Sequence, residues 1–405
     1  MSGVTQVGLT YVGDLPAGWK IVPAGAACKK VTDGTHDTPK VHPSGVPFIT
    51  AIHIKNGSID FSTCQYVDEE THRTIFARCD PRKGDLTVVN IGAGVGECGY
   101  VNVDFEFSLK NVALLKPDPA ALNGEFLYHL HQSRKSRIAH VVKAGGAQPF
   151  LSLAELRRLP IILPPLSEQQ CIAEVLGTWD RAIEMVEALI ANARAQKRAL
   201  MQQLLPQGAT APKKRLSGFS GEWREAKLGS LAEISKGEQK GRASLADKGP
   251  VPVINGGITP SGYTDQPNNA ANTITISEGG NSCGHVDLIT QPFWCGGHCY
   301  ALKNLKVDRD FLFAVLKHRQ LEIMSLRVGS GLPNIQKKAL SQFAVPVPPK
   351  PEQVKIGELA AAADREIVAN EAQLTALRRE KAALMQQLLT GKRRVKLPES
   401  EVANA

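Results

Sequence analysis

EQQCIAEVLGTWDRAIEMVEALIANARAQKRALMQQLL, from Glu168 to Leu205, returns 184 residues later as EQVKIGELAAAADREIVANEAQLTALRREKAALMQQLL, from Glu352 to Leu389. Glu168 meets Glu352, Gln169 meets Gln353, and Asp180-Arg181 meets Asp364-Arg365, with no gap. The ending Ala199-Leu200-Met201-Gln202-Gln203-Leu204-Leu205 recurs whole at Ala383 to Leu389. A repeat this long marks duplicated domains rather than a solenoid of short repeats.

Within each copy the apolar residues step by four and three. The first seam runs through Ile172, Leu176, Trp179, Ile183, Val186, Ile190 and Ala193 to Leu200 and Leu204, with Lys197 at the one missing position. The second runs through Ile356, Ala360, Ala363, Ile367, Asn370, Leu374, Leu377, Lys381, Leu384 and Leu388. That 3.5-residue period is the mark of a coiled coil. Both stretches follow a Pro-Pro pair, which can precede a helix but cannot sit inside one. The spacing predicts two long helices of roughly 57 Å that pair with each other.

The repeat extends upstream. Pro164-Pro165 meets Pro348-Pro349, Leu156 meets Leu340, and Pro149 meets Pro333. Further back the offset becomes 185, with Phe126-Leu127 against Phe311-Leu312 and Cys98-Gly99-x-Val101 against Cys283-Gly284-x-Val286. Trp19 and Trp223 sit in similar settings at an offset of 204, so the first copy is longer near its beginning. The blocks ahead of the helices read mostly as short strands with Gly, Pro, Asn and Asp turns, as in DLTVVNIG and ANTITISEGG. Each also holds a helical stretch, around Asn123–His140 and Asp308–Leu326. The expected boundaries are residues 1–163, a helix at 164–205, a linker at 206–222, a second block at 223–347, a second helix at 348–391, and a frayed tail at 392–405.

The 405 residues are 42% hydrophobic and 21% charged, enough to bury a real core. No run of 18 apolar residues exists, and the first residues lack a basic region followed by an apolar stretch; neither a membrane span nor a signal peptide is expected. A cytoplasmic setting follows. The formal net charge is +9, unevenly spread: residues 206–350 carry 18 basic and 11 acidic side chains. Such an excess favours a polyanion partner.

The eight cysteines are scattered, so reduced thiols are the default reading. The tightest cluster, Cys283, His285, Cys295, His298 and Cys299, lacks the paired short spacings of structural zinc, and no metal is expected. The chain has no P-loop, no H-E-x-x-H and no G-x-S-x-G. Asn90-Ile-Gly92-Ala-Gly94-Val-Gly96 follows a strand, but no clear βαβ setting accompanies it. A tight turn at a nucleic-acid surface competes there with a purely structural turn. His36, His42, His53, His72, His129, His131 and His140 have no nucleophile partner repeated in the second copy, and read as structural or surface side chains.

Two duplicated blocks joined by duplicated long helices make a device that contacts two patches of an extended ligand. At this point the chain resembles the specificity subunits of type I restriction–modification enzymes. The two P-P-x-x-E-Q-x-x-I starts, Pro164 to Ile172 and Pro348 to Ile356, and the two A-L-M-Q-Q-L-L endings carry the likeness. Asp33-Gly34-Thr35-His36-Asp37-Thr38-Pro39 and the stretch from Pro252 through Asn255-Gly256-Gly257 to Gly262-Tyr263 resemble loops of the family's target recognition domains.

The resemblance implies an α+β chain. Two tandem, strand-rich target recognition domains would be related by pseudo-symmetry, and two helices in an antiparallel coiled coil would separate them. Each domain would read one half of a split, asymmetric duplex DNA target. Two methyltransferase subunits carrying S-adenosylmethionine, and motor-nuclease subunits using ATP and Mg, would dock on this non-catalytic chain, which would bind no cofactor itself.

Phosphate contacts fall to Lys29, Lys30, Lys40, Lys143, Lys236, Lys240, Arg242, Arg327, Lys337 and Lys338, each of which is otherwise a solvated charge. Base contacts fall to Thr35, His36, Asn255, Tyr263, Asn268, Asn269 and Asn281, although the asparagines suit turns equally well. The seam would rest on Ile172, Leu176, Trp179, Ile183, Ile356, Ile367, Leu374 and Leu377. Other readings remain: a specificity subunit of another modification or defence system, a standalone DNA-modifying enzyme, or a coiled-coil assembly protein.

Overall fold

The structure, a computed structural model, describes residues 15–144, 149–206, 212–329, 331 and 333–397. Its contacts define two compact units, Met1–Met185 with Leu374–Ala405, and Val186–Gln373. The dividing points fall inside the two long helices, Leu166–Leu204 and Lys350–Leu388. Each unit therefore holds the start of one long helix and the end of the other.

Unit one is built on a four-stranded antiparallel sheet of β1 (Cys28–Asp33), β2 (Leu86–Val88), β3 (Cys98–Tyr100) and β4 (Ala113–Pro117), in the order β1-β4-β2-β3. A smaller sheet centres on Val46–Thr50, which runs parallel to Ser108–Lys110 and antiparallel to Gln65–Val67. Lys20–Pro23 pairs with Pro160–Leu163, just ahead of the first long helix. The unit's longer block helices are α1 (Glu69–Cys79) and α2 (Gly124–Ala144), with short ones at Ala24–Ala27 and Leu153–Arg158.

Unit two repeats the plan. Its sheet has β5 (Glu233–Lys236), β6 (Thr273–Ser277), β7 (Val286–Ile289) and β8 (Cys299–Lys303) in the order β5-β8-β6-β7. Its smaller sheet centres on Val251–Ile254, parallel to Trp294–Cys295 and antiparallel to Tyr263–Thr264. Arg224–Lys227 pairs with Ala344–Val347, and α3 (Arg309–His318) takes the place of α2. The identical strand order and pairing sense are the physical content of the duplication.

The E-Q pair after each Pro-Pro has a structural cause. Gln169 is fully buried; its Nε2 donates to the Pro164 and Ala121 carbonyls and its Oε1 accepts from the Asn123 N–H, all at 2.9 Å. Gln353 repeats this, donating to the Pro348 carbonyl at 2.8 Å and accepting from the Asp308 N–H at 2.9 Å. Asn123 and Asp308 in turn accept from the Phe126 and Phe311 N–H groups, capping α2 and α3. One amide thus fixes the start of a long helix to the start of a block helix. Buried Glu168 accepts from Trp19 Nε1 and pairs with Arg394, while buried Glu352 pairs with Arg215. Each buried carboxylate is thereby matched with a cation, since an unpaired buried charge is strongly unfavourable.

The seam residues face inward. Ile172 and Leu176 join Phe126, Leu127, Leu388 and Leu389 in the core of unit one, and Ile356 joins Met201, Leu204, Phe311 and Leu312 in unit two. Trp179, Ile183, Ile367, Leu374 and Leu377 are half-buried. In unit one Lys381 pairs with Asp180, and in unit two Lys197 pairs with Asp364 and Arg194 with Glu371. Higher positions on one helix meet lower positions on the other, so the segments run antiparallel in each unit.

Four sequence expectations need correction. First, the Cys98/Cys283 match is out of register by three residues. Gly96 donates to the Val89 carbonyl as Gly284 donates to that of Ser277, so the equivalent residues lie 188 apart. Second, the extra length of the first copy lies within its block rather than near its beginning: it falls between Val46–Thr50 and β2, where α1 is inserted. Its start was legible, since Asp68 accepts from the Thr71 N–H and Glu69 and Glu70 follow in the first turn. Third, residues 392–397 are not frayed, because Arg394 holds Glu168 and Val395 packs on the core; residues 398–405 lie outside the described residues. Fourth, the expected linker is tied down from Arg215 and Leu216, which packs on the unit-two core; residues 207–211 lie outside the described residues.

Candidate nucleic-acid interface

In unit one a polar corner forms where β1 ends. The chain turns at Gly34, where a Cβ would stand 2.0 Å from the Leu109 carbonyl oxygen, so only glycine fits. Asp33, its side chain 7% exposed, is the hub. Its Oδ1 accepts from Arg78 Nε at 3.2 Å and Nη2 at 2.7 Å, and its Oδ2 lies 2.9 Å from His36 Nε2. His36 Nδ1 lies 2.9 Å from Asn111 Oδ1. Arg78 and His36 remain 50% and 57% exposed. A buried carboxylate therefore positions two solvent-facing nitrogen-rich side chains.

Unit two builds the same corner from different residues. β5 ends at Lys236, which occupies the register of Asp33: Lys236 faces Tyr300 as Asp33 faces Ala113. Gly237 follows, and a Cβ there would stand 2.3 Å from the Gly296 carbonyl. The hub is Glu278, 13% exposed, which pairs with Lys236 Nζ at 2.6 Å and lies 3.8 Å from His298 Nδ1. Tyr300 Oη lies 3.2 Å from Glu278 and 3.0 Å from the Ile335 carbonyl. Lys236 and His298 are 53% and 63% exposed. The frame is shared, but the hydrogen-bonding groups presented are not.

The glycine run lies in the β2–β3 hairpin, and its partner in β6–β7. Gly92 and Gly96 have φ of 84° and 92°, Gly280 and Gly284 of 80° and 88°. Gly92 donates to the Pro149 carbonyl and Gly280 to that of Pro333, each at 3.0 Å. An antiparallel hairpin with no helix after it cannot offer the helix N-terminus on which dinucleotide binding relies. His131 Nε2 lies 3.0 Å from the Gly96 carbonyl, and Lys143 lies beside the same loop.

The other named residues are dispersed. Lys29 lies 3.9 Å from Asp118, and Lys30 Nζ donates to the Arg78 carbonyl at 2.7 Å. Thr35 donates its N–H to the Leu109 carbonyl and accepts from the Asp37 N–H. Lys40, Arg242, Asn281, Arg327, Lys337 and Lys338 are exposed. Lys240 lies over the Trp294 ring, 4.1 Å from its centroid, and donates to Thr264 Oγ1 at 2.7 Å. Asn255 Oδ1 accepts from the His298 N–H, and Asn268 exchanges two hydrogen bonds with the Cys295 backbone. Asn269 Nδ2 donates to Asn268 Oδ1, and Tyr263 is half-buried in its short strand. Sequence reading missed Arg78, Asn111 and Glu278, which join the corners from 45, 75 and 42 residues away.

Titratable groups elsewhere are tuned by burial. Burial pushes the Cys28 thiol up to about 12 and Cys79 up to about 11, which leaves them inert as nucleophiles at neutral pH. Burial, aided by Lys381, lowers His129 to about 3; burial, aided by Arg134, lowers His131 to about 4. Among the described residues no group of three or more His, Cys, Asp and Glu could hold a metal ion, and no helix is long and apolar enough to cross a membrane.

Fold and site together define a duplicated protein whose two units share one scaffold and differ in the groups it presents. The chain belongs to the specificity-subunit family of type I restriction–modification systems: the type I restriction modification DNA specificity domain matches it twice, at residues 17–194 and 220–377. It is 25% identical over 410 residues to a candidate specificity subunit of the MjaX type I restriction enzyme of Methanocaldococcus jannaschii, covering 96% of each chain. It is 23% identical over 300 residues to the MjaVIII specificity subunit of the same organism, covering 67% of this chain and 70% of that one. Its fold is similar to the crystal structure of the type I S subunit of M. genitalium, with a TM-score of 0.69 at 20% identity, covering 94% of this chain and 98% of that one.

Proposed function

We propose that each unit reads one half of a split duplex DNA target, that the two halves differ, and that the long helices seat two methyltransferase subunits and, through them, motor-nuclease subunits. The chemistry belongs to those partners: S-adenosylmethionine serves the methyltransferase, ATP and Mg the motor-nuclease, and this chain binds none of them. The observation that carries the reading is the pair of corners. One scaffold position holds Asp33 in one unit, wired to half-exposed Arg78 and His36, and half-exposed Lys236 in the other, wired to Glu278. A shared frame with unlike donors and acceptors is what reading two different sequences requires.

The charge distribution supports the same reading. The excess of basic side chains in residues 206–350 suits phosphate contacts, which give affinity and orientation without sequence information. The test is methylome sequencing of a host expressing this chain with its cognate methyltransferase, compared with a host lacking the chain. A new adenine-methylated motif of two unlike halves around a fixed gap is expected. An unchanged methylome with both proteins well expressed, and no retention on random duplexes at low salt, overturns the reading.

A further inference from the structure

We infer that Arg78 and Lys236 are the guanine-reading side chains of the two units, one for each half of the target, each aimed by a largely buried carboxylate. The inference rests on the DNA-reading function proposed above and adds the residues and the base.

The argument begins with donor geometry. A guanidinium offers five N–H groups in a fixed planar fork. Asp33 takes the Nε side of the Arg78 fork, through Nε and Nη2 on a single carboxylate oxygen. The Nη1 edge takes no part in that pair, and the side chain as a whole is half exposed. Two parallel donors on that edge match O6 and N7 of guanine in the major groove, the commonest specific contact made by arginine. A mobile surface arginine would have to be ordered on binding, whereas this one is already held.

Asp33 is itself fixed. It lies at the end of β1, is almost wholly buried, and is held on its other oxygen by His36. The Arg78 backbone is fixed too, since its carbonyl accepts from Lys30 Nζ at 2.7 Å and Thr32 Oγ1 at 3.3 Å. Such ordering exceeds what positioning on the backbone requires, because a flexible lysine acting as a point charge already satisfies a phosphate.

Unit two places Lys236 in the register of Asp33 and inverts the roles, with the cation on the strand and the carboxylate, Glu278, on the hairpin that carries Gly280. Glu278 is fixed by Tyr300. An ammonium reaches the same two guanine acceptors as a single point donor. The geometry therefore assigns guanine to both corners, with the stricter reading in unit one. This also explains why Arg78 escapes sequence reading: it comes from α1, which the second copy lacks.

The experiment uses the full chain in complex with its methyltransferase, read by methylome sequencing, with Arg78→Ala, Arg78→Lys, Asp33→Asn, Lys236→Ala and, as a phosphate-type control, Lys338→Ala. Arg78→Ala is expected to relax one guanine position in one half of the motif, cutting discrimination there by roughly 5- to 150-fold, and to leave the other half intact. Arg78→Lys and Asp33→Asn relax the same position less. Lys236→Ala relaxes a guanine in the opposite half. Lys338→Ala lowers methylation uniformly without changing the motif.

Arg78→Lys keeps the charge and the fold, so an unchanged motif in that variant and in Arg78→Ala overturns the inference. So does relaxation at a position that is not guanine on either strand. If Arg78→Ala alone fails to assemble with the methyltransferase, Arg78→Lys decides. Absence of any motif with the unsubstituted chain is a failure of the DNA-reading function itself, which is a different result.

Discussion

Asp180 holds the seam lysine Lys381, and their duplicates Asp364 and Lys197 make the same contact. Lys381 and Lys197 occupy heptad positions meant for apolar side chains, with 12% and 22% of their side chains exposed. An ammonium so placed needs an anion, and the Asp of each repeated Asp-Arg pair supplies it. The contact fixes which seam position faces which, since sliding a helix by one heptad would strand both charges.

Removing one partner is therefore worse than removing both. Asp180→Ala is expected to cost roughly 1–3 kcal/mol by leaving Lys381 unpaired near the seam, and Asp180→Leu with Lys381→Met to recover most of that loss. Denaturant midpoints of the two variants, measured side by side, check this. Equal losses in both would mean that the pair is incidental.

The amides that open the long helices make a second test. Gln169→Ala strips a partner from the Asn123 N–H and from the Pro164 and Ala121 carbonyls in a buried setting. A loss of roughly 1–3 kcal/mol is expected. Gln353→Ala should act alike in unit two, and hydrogen exchange should rise at the start of α3.

Acid sensitivity follows from two buried imidazoles. His129 titrates at about 3 and His131 at about 4 when folded, below the roughly 6.5 of an unfolded histidine. The unfolded chain thus takes up protons first. Stability is undiminished above about pH 6.5 and falls as pH drops toward the folded values, by up to about 1.4 kcal/mol per pH unit for each group. His129→Leu should flatten the stability curve between about pH 6 and pH 4, as read by urea titration across that range. A curve as steep as that of the unsubstituted chain would remove His129 as a source of the acid loss.

Gly34 is predicted to tolerate no side chain. A Cβ would meet the Leu109 carbonyl at 2.0 Å, so Gly34→Ala must displace β1 or the strand holding Leu109. Under the proposed function, specific DNA affinity of the complex with its methyltransferase should fall, with loss of one half of the motif before any change in the other half.

The α+β class, the duplication, the long helices and their seam were all legible because they are written in local periods. A heptad is visible within one stretch of chain, and Pro164-Pro165 marks a boundary without reference to anything distant. The hairpin glycines were visible as a loop but not in register, because the match around Cys98 follows residue identity whereas the strands follow hydrogen bonds. The insertion helix α1 was missed, although Asp68, Glu69 and Glu70 carry an ordinary start signal. Its stretch lies among strands and has no counterpart in the second copy.

By itself the sequence determined that two copies of one block each end in a long heptad helix, which is a consequence of short-range spacing. Only the tertiary structure decided what the corners present. Asp33 meets Arg78, and Lys236 meets Glu278, across 45 and 42 residues. No local period encodes such a meeting: it depends on sheet order and strand register, which bring the end of β1 under the end of α1 and the end of β5 beside the β6–β7 hairpin. Burial then turns an ordinary carboxylate into the part that aims a cation.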